Sequence, residues 1–303
     1  MKGCATVREL VCNVNDVALV FEGGGYRASY TAGMANLLLD KGVHFSFACG
    51  ISAGASHAVD YLSRDQWRVK AAFTMLPGRT PESGGMRSLL AGNGFFNADY
   101  DYWGCIEDGY MPFSWATFSA NPADLRIQSF AAETGETVVW GKADMTDTHT
   151  MADRVRASST LPGFMHPIQI DGLTMYDGGL GRGAGIPVRL AEDAGFERVL
   201  FVATRPQGYR KKAPTASEKA VYRALSHGME LLYEAMLTRN ERYNEELAHV
   251  DELERQGRAL VIRPDVMPVK STTIKTSELL RSYDMGYAQA QRDWPRVEHY
   301  LFG

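Results

Sequence analysis

No run of apolar residues in the sequence approaches the roughly 20 needed to span a bilayer as a helix. The first ten residues contain no apolar stretch of the kind that makes a secretory leader. Positive charge is not in excess: 32 lysines and arginines face 36 aspartates and glutamates, a net charge of −4. That balance gives no electrostatic reason to expect nucleic acid, and there is no polybasic tract to draw the chain to anionic lipid. Only four cysteines occur, Cys4, Cys12, Cys49 and Cys105, and their wide, irregular spacing fits neither a disulfide scaffold nor a metal site. No internal repeat, low-complexity segment or metal-ligand set is present. These absences predict a reduced, cytoplasmic protein with no metal, no cofactor and no nucleic-acid partner, and they leave the oligomeric state open.

What remains is ordinary globular material, 45% hydrophobic and 22% charged over 303 residues, enough to bury a full core. Val17-Ala18-Leu19-Val20-Phe21 is a short β-branched run that ends in Gly23-Gly24-Gly25, the pattern of a buried strand entering a glycine loop. Tyr30, Met34, Leu37 and Leu38 then recur at helical spacing as far as Lys41-Gly42. A second strand is expected over 45–49, followed by the turn Gly50-Ile51-Ser52-Ala53-Gly54 and a helix over 55–70. This strand–helix–strand–helix order implies parallel strands joined by a right-handed crossover. Further strands are expected over 125–131, 137–140, 198–203 and 259–263, alternating with helical stretches, so a layered α/β fold is favoured. The segment 83–119 mixes glycines with aromatic residues without clean periodicity and reads as an insertion or cap. From 217 to 256 apolar residues follow three- and four-residue steps, the mark of one long or broken amphipathic helix. One domain is expected.

Three short elements carry chemistry. Gly50-Ile51-Ser52-Ala53-Gly54 matches G-x-S-x-G, in which a serine on a sharp strand-to-helix turn is held strained with its hydroxyl exposed. Gly23-Gly24-Gly25-Tyr26-Arg27, at another strand-to-helix junction, can aim consecutive backbone N–H groups at an anion, either a phosphate or the oxyanion of an acyl intermediate. Ala28 stands where G-x-G-x-x-G needs its last glycine, and the G-K-[ST] ending of a P-loop is missing. Asp177-Gly178-Gly179 is a turn that frees a carboxylate from local packing, and on its own it is a common turn signal.

Taken in order, these elements and Ala157-Ser158-Ser159-Thr160-Leu161-Pro162-Gly163-Phe164 resemble the bacterial branch of the patatin-like phospholipase family. The resemblance covers residues 15–205, with a helical extension and final strand over 215–303 matching some bacterial members. It implies a three-layer α/β/α sandwich around a mainly parallel sheet, with the nucleophile elbow after the second strand. It further implies a Ser–Asp dyad without histidine. Ser52 would attack an ester carbonyl and Asp177 would take its proton. The amides of Gly23, Gly24 and Gly25 would hold the oxyanion, with Arg27 bracing that loop. Ala28 departs from the fuller family pattern, where glycine is frequent. The implied activity is hydrolysis of lipid or other carboxylic esters through an acyl-enzyme, with transient contact at a membrane surface.

Three readings compete with it. G-x-S-x-G also belongs to α/β-hydrolases, whose triad runs Ser, Asp, His. His227, His249 and His299 follow Asp177 in the chain, and His57 lies five residues past Ser52. The first two are expected on the long helix, and no histidine adjoins the glycine loop. Acyl transfer to an acceptor other than water would use the same acyl-enzyme. A catalytically silent lipid-binding protein would have no need of serine, aspartate and glycine loop together. The aromatic residues between Phe95 and Phe118 could line an acyl pocket, touch a membrane or simply pack.

Overall fold

The first strand, Val17–Phe21, sets the architecture because it is covered on both faces. In this computed structural model of the chain, residues 10–303 are described, so Cys4 and most of the N-terminal stretch read for a leader lie outside them. Eight strands form one sheet: β1 (Val17–Phe21), β2 (Phe47–Gly50), β3 (Asp124–Ala131), β4 (Thr137–Gly141), β5 (Ile168–Ile170), β6 (Leu173–Asp177), β7 (Arg198–Val202) and β8 (Ala259–Ile262). The hydrogen-bonded path runs β5-β6-β3-β2-β1-β7-β8, with β4 also on β3. The β3–β2, β2–β1, β1–β7 and β7–β8 pairs are parallel, while β4, β5 and β6 join antiparallel.

Side chains alternate faces along a strand, and here both faces are apolar. Val17, Leu19 and Phe21 of β1 pack in one core with α1 (Ala28–Asp40), α2 (Ala53–Leu62) and the C-terminal helix Thr276–Phe302. Ala18 and Val20 pack in a second core with the helix Val188–Asp193 and the long helix Glu230–Arg255. β7 and β8 divide the same way: Leu200, Val202, Leu260 and Ile262 face the first core, Val199, Phe201, Ala259 and Val261 the second. The fold is the expected three-layer α/β/α sandwich around a mainly parallel sheet, with the nucleophile turn directly after β2.

Several local expectations shift. The second strand begins at Phe47 rather than Phe45, which instead makes an isolated bridge with Val14. The helix expected over 55–70 is two: α2 ends at Leu62 and α3 (Gln66–Thr74) starts afresh, its first turn capped by Asp65. The long helix is broken, Ala216–Leu225 and then Glu230–Arg255, because His227 and Gly228 take φ values of 48° and 84° that no right-handed helix accommodates. His227 therefore lies in the break and not on the long helix. Residues 173–177, not among the expected strands, form β6.

Cys12, Cys49 and Cys105 are free thiols, the last two buried. Among the described residues no helix is long and apolar enough to cross a membrane.

Candidate active site

The sheet itself brings Ser52 and Asp177 together. Arg126 and Ile127 of β3 pair with β2 and with β4 at once, so those two strands lie on opposite edges of β3. Ser129 pairs with β4 and β6 at once, so β6 shares the edge used by β2. β2 runs parallel to β3 and ends at Gly50 opposite Ile127; β6 runs antiparallel and ends at Asp177 opposite Ser129. The two strand ends thus meet head to head on one edge, separated by only one residue of β3. Gln128, between them, donates from Nε2 to the carbonyls of Gly178 (2.8 Å) and Arg182 (2.7 Å) and pins the Asp-Gly-Gly turn there.

Ser52 sits on this junction with φ 58° and ψ −128°, a conformation costly for a side chain other than glycine and characteristic of a nucleophile elbow. Its backbone N–H donates to Ser158 Oγ at 2.9 Å. The flanking glycines have steric reasons. A Cβ on Gly50 would lie 2.0 Å from Gly54 O, and one on Gly54 would lie 2.2 Å from Phe21 O, so α2 could not approach β1 and β2 so closely with any other residue.

Asp177 is 2% exposed. Its Oδ1 accepts from Gly179 N at 2.7 Å, and its Oδ2 is buried without a hydrogen-bond partner among the described residues. Burial raises its pKa above the ordinary carboxylate value; Arg239, the neighbouring Ser52 hydroxyl, the Gly179 N–H and Lys211 act in the opposite sense. The Ser52 hydroxyl is thus close enough to stabilise the carboxylate, although no hydrogen bond of ordinary geometry joins the two. Looseness of this kind is common where substrate has yet to order a site.

The glycine loop stands next to the elbow. Gly23 N–H donates to Gly185 O at 2.9 Å and is engaged. Gly24 and Gly25 N–H donate to no protein group among the described residues, so of the three candidate oxyanion donors these two are free. Tyr26 N–H donates to Ser271 O (3.0 Å) and Arg27 N–H to Gly24 O (3.3 Å). That backbone bond is the contact Arg27 makes with the loop: its side chain makes no hydrogen bond to it among the described residues, and its Nε is buried without a partner.

Ser52, Asp177, the three glycines and Arg27 all line one cavity of about 490 Å³. Glu22, Arg205, Lys211, Arg239 and Tyr243 also line it, and none of these was legible as a site residue in the sequence. No histidine is among its lining residues. His57 is fully buried between Phe21 and Phe73, bonded to Thr31 Oγ1 and Ala28 O, with burial lowering its pKa to about 3. His249 meets Glu192. Within the aromatic segment, Phe96 and Phe118 are buried in separate cores. Tyr102 and Ile106 line a second cavity of about 80 Å³ that shares no lining residue with the first. Among the described residues no group of three or more His, Cys, Asp or Glu side chains could hold a metal ion.

The family model for patatin-like phospholipases matches residues 19–191, more than half of the chain. The chain belongs to the patatin-like phospholipase family. A second model, for a domain of unknown function (DUF6363), matches residues 230–302, so the chain draws Arg239, Asn240, Tyr243 and Ser271 of its cavity from outside the patatin segment. No curated protein matches the sequence. Among solved structures, the chain is similar to VipD from Legionella pneumophila, with a TM-score of 0.47 and 13% identity. That likeness covers 91% of this chain and 66% of the other, so this chain spans just under two thirds of VipD's length.

Proposed function

We propose that this protein is a serine acyl hydrolase of lipid esters working through a Ser52–Asp177 dyad. The observation that carries the reading is the meeting of a strained serine with a buried, half-bonded carboxylate beside two free backbone amides. Ser52 Oγ attacks the ester carbonyl as its proton passes to Asp177. The carbonyl oxygen takes the negative charge and faces Gly24 and Gly25 N–H, whose fixed dipoles need no reorganisation. The carbon–oxygen bond of the leaving alcohol breaks, and the alcohol takes the proton from Asp177. Water then attacks the acyl-enzyme, with Asp177 accepting its proton, and Ser52 leaves with that proton. Gly23 in this scheme spaces the loop, since a Cβ there would lie 3.0 Å from Ile51 O and 3.4 Å from Ser52 Cβ. The scheme uses no metal or cofactor, and full activity after EDTA treatment is its consequence.

The cellular setting is proposed as cytoplasmic, with transient docking on a membrane surface through the short helix Met86–Leu90. Met86, Leu89 and Leu90 there are 61%, 43% and 82% exposed. The whole chain is proposed to fold as one domain, since β8 and the C-terminal helix complete the sheet and the first core.

Hydrolysis of p-nitrophenyl esters tests the dyad directly. Ser52→Ala and Asp177→Asn should each lower kcat/KM by on the order of 10⁴-fold, whereas His227→Ala should retain activity. A folded His227→Ala enzyme without activity would replace the dyad by a triad. Acyl release only on addition of an alcohol or thiol acceptor would make the protein a transferase.

A further inference from the structure

The cavity around Ser52 is cationic, which an ester hydrolase acting on neutral lipid has no use for. Arg27, Arg205, Lys211, Lys212 and Arg239 line it, and among the described residues none of the five takes part in an ion pair. The acids in the same wall are already engaged. Glu22 accepts from Tyr243 Oη and from Thr204 N, both at 2.5 Å, one on each oxygen. Glu218 caps its helix by accepting from Thr215 N and Oγ1. Asp177 is the general base in the proposed reaction. The Arg27 guanidinium keeps a buried Nε with no partner.

The cations are held in place. Arg239 Nε donates to Gly179 O at 2.8 Å. Lys211 N–H donates to Asn244 Oδ1 while Asn244 Nδ2 donates to Lys211 O, and Asn240 Nδ2 donates to Lys212 O, each at 2.8 Å. Lys211 Nζ lies 4.0 Å from the Tyr243 ring centre and Arg205 Cζ 4.2 Å from that of Tyr209. The aromatic faces that could otherwise cradle a quaternary ammonium are therefore already occupied by the protein's own cations. Holding like charges together in a partly buried wall is unfavourable unless an anion completes it. Burial, with Arg239 beside it, lowers the Lys211 pKa to about 6, so Lys211 takes up its proton as an anion enters the wall.

Resting on the hydrolase reading above, we propose that Arg27, Arg205, Lys211 and Arg239 form an anion subsite that binds a phosphate on the ester substrate. It selects substrates whose phosphate carries no cationic substituent. A phosphate monoester presents three oxygens to guanidinium and ammonium donors, a geometry these side chains suit. A choline or ethanolamine headgroup would bring a cation into the same wall with no free carboxylate and no open aromatic face to meet it. The specificity would come from outside the patatin segment, because Arg205, Lys211 and Arg239 all lie beyond residue 191.

The test compares three glycerol esters of one acyl chain: the phosphate monoester, its choline diester and the neutral monoacylglycerol. The phosphate monoester should lead in kcat/KM by about tenfold or more, the value of one to two charge-assisted contacts. Lys211→Gln and Arg205→Gln should each bring the ratios toward one. Because Gln substitution at a part-buried site could simply unfold it, Arg205→Gln and Lys211→Gln count only where the unfolding temperature is unchanged. Equal kcat/KM for all three esters, within about twofold, overturns the subsite while leaving the hydrolase intact. If no ester is turned over, the hydrolase reading fails, and calorimetry of inorganic phosphate with Ser52→Ala protein decides the subsite alone: binding weakened by Lys211→Gln upholds it, and absence of binding overturns it. Added inorganic phosphate separates the source of the anion. Competition against the phosphate monoester identifies a group carried on the substrate, whereas stimulation of monoacylglycerol turnover overturns that assignment in favour of free phosphate as an effector.

Discussion

At Asp177 two opposing influences meet, and the balance sets the acid limb of activity. Burial favours the neutral acid, while Arg239 heads the groups that favour the carboxylate. The dyad needs Asp177 ionised, so kcat/KM falls as pH drops through its pKa. Removing the Arg239 charge removes a stabiliser of the carboxylate and raises that pKa further. Arg239→Gln should therefore move the acid limb of kcat/KM to higher pH, by about one unit, when measured on a neutral p-nitrophenyl ester to keep the anion subsite out of the readout. The glutamine can still donate toward Gly179 O, which separates loss of charge from loss of the turn's anchor. An unchanged limb would mean that Arg239 does not act on the base.

At the scale of elements, the short helix Met86–Leu90 is the place where an apolar surface meets water without a partner among the described residues. Gly85 caps its start, and Phe164, itself 39% exposed, meets Phe95 edge-on and stacks on Phe96. Phe164 N–H donates to the carbonyl of Leu161, a residue of the Ser52 cavity, so this apolar rim adjoins the site. A buried leucine is worth roughly 1.5–3 kcal/mol on leaving water, so Leu90→Asp should lower vesicle binding by about tenfold or more. Because Leu90 is 82% exposed, the melting temperature should hold. Cosedimentation with vesicles at equal unfolding temperature reads both, and unchanged binding would remove this helix from the membrane contact. The same scale explains what the sequence could and could not tell. β1 was readable because an uninterrupted apolar run entering a glycine loop reads as a buried strand, and Gly50 to Gly54 because the turn needs its glycines in a pattern visible over five residues. β6 was obscured because three of its five residues are only followed by meaning once β3 pairs with them. The break at His227-Gly228 follows from two backbone angles that helical periodicity on either side conceals. The cationic wall was illegible for a different reason: Arg27, the loop carrying Arg205 and Lys211, and Arg239 come from three separate segments, and only the order of strands in the sheet makes them neighbours.

For the molecule as a whole, the question is whether residues 230–302, matched by their own family model, form an appendage or part of one body. The contact between α1 and the C-terminal helix argues for one body. The two helices cross with backbones nearly touching: a Cβ on Gly286 would lie 2.0 Å from Tyr30 O, and one on Gly33 would lie 2.2 Å from Tyr287 N. Around this crossing Ser29 Oγ donates to Ser282 Oγ (2.9 Å) and Tyr30 Oη to Gln289 Oε1 (2.5 Å), both buried. The loop that leads into the C-terminal helix also supplies the Ser271 carbonyl that fixes Tyr26 in the glycine loop. Gly286→Ala should thus be destabilising even though alanine favours a helix by about 1 kcal/mol, because the clash is with backbone and cannot be relieved by a rotamer. Overpacking of this kind costs about 1–3 kcal/mol. If residues 230–302 belong to one cooperative unit, calorimetry of Gly286→Ala should show a single transition at lower temperature, with esterase activity lost in step with it. Two separated transitions, with only the smaller one displaced and activity surviving it, would instead make the C-terminal segment a domain of its own.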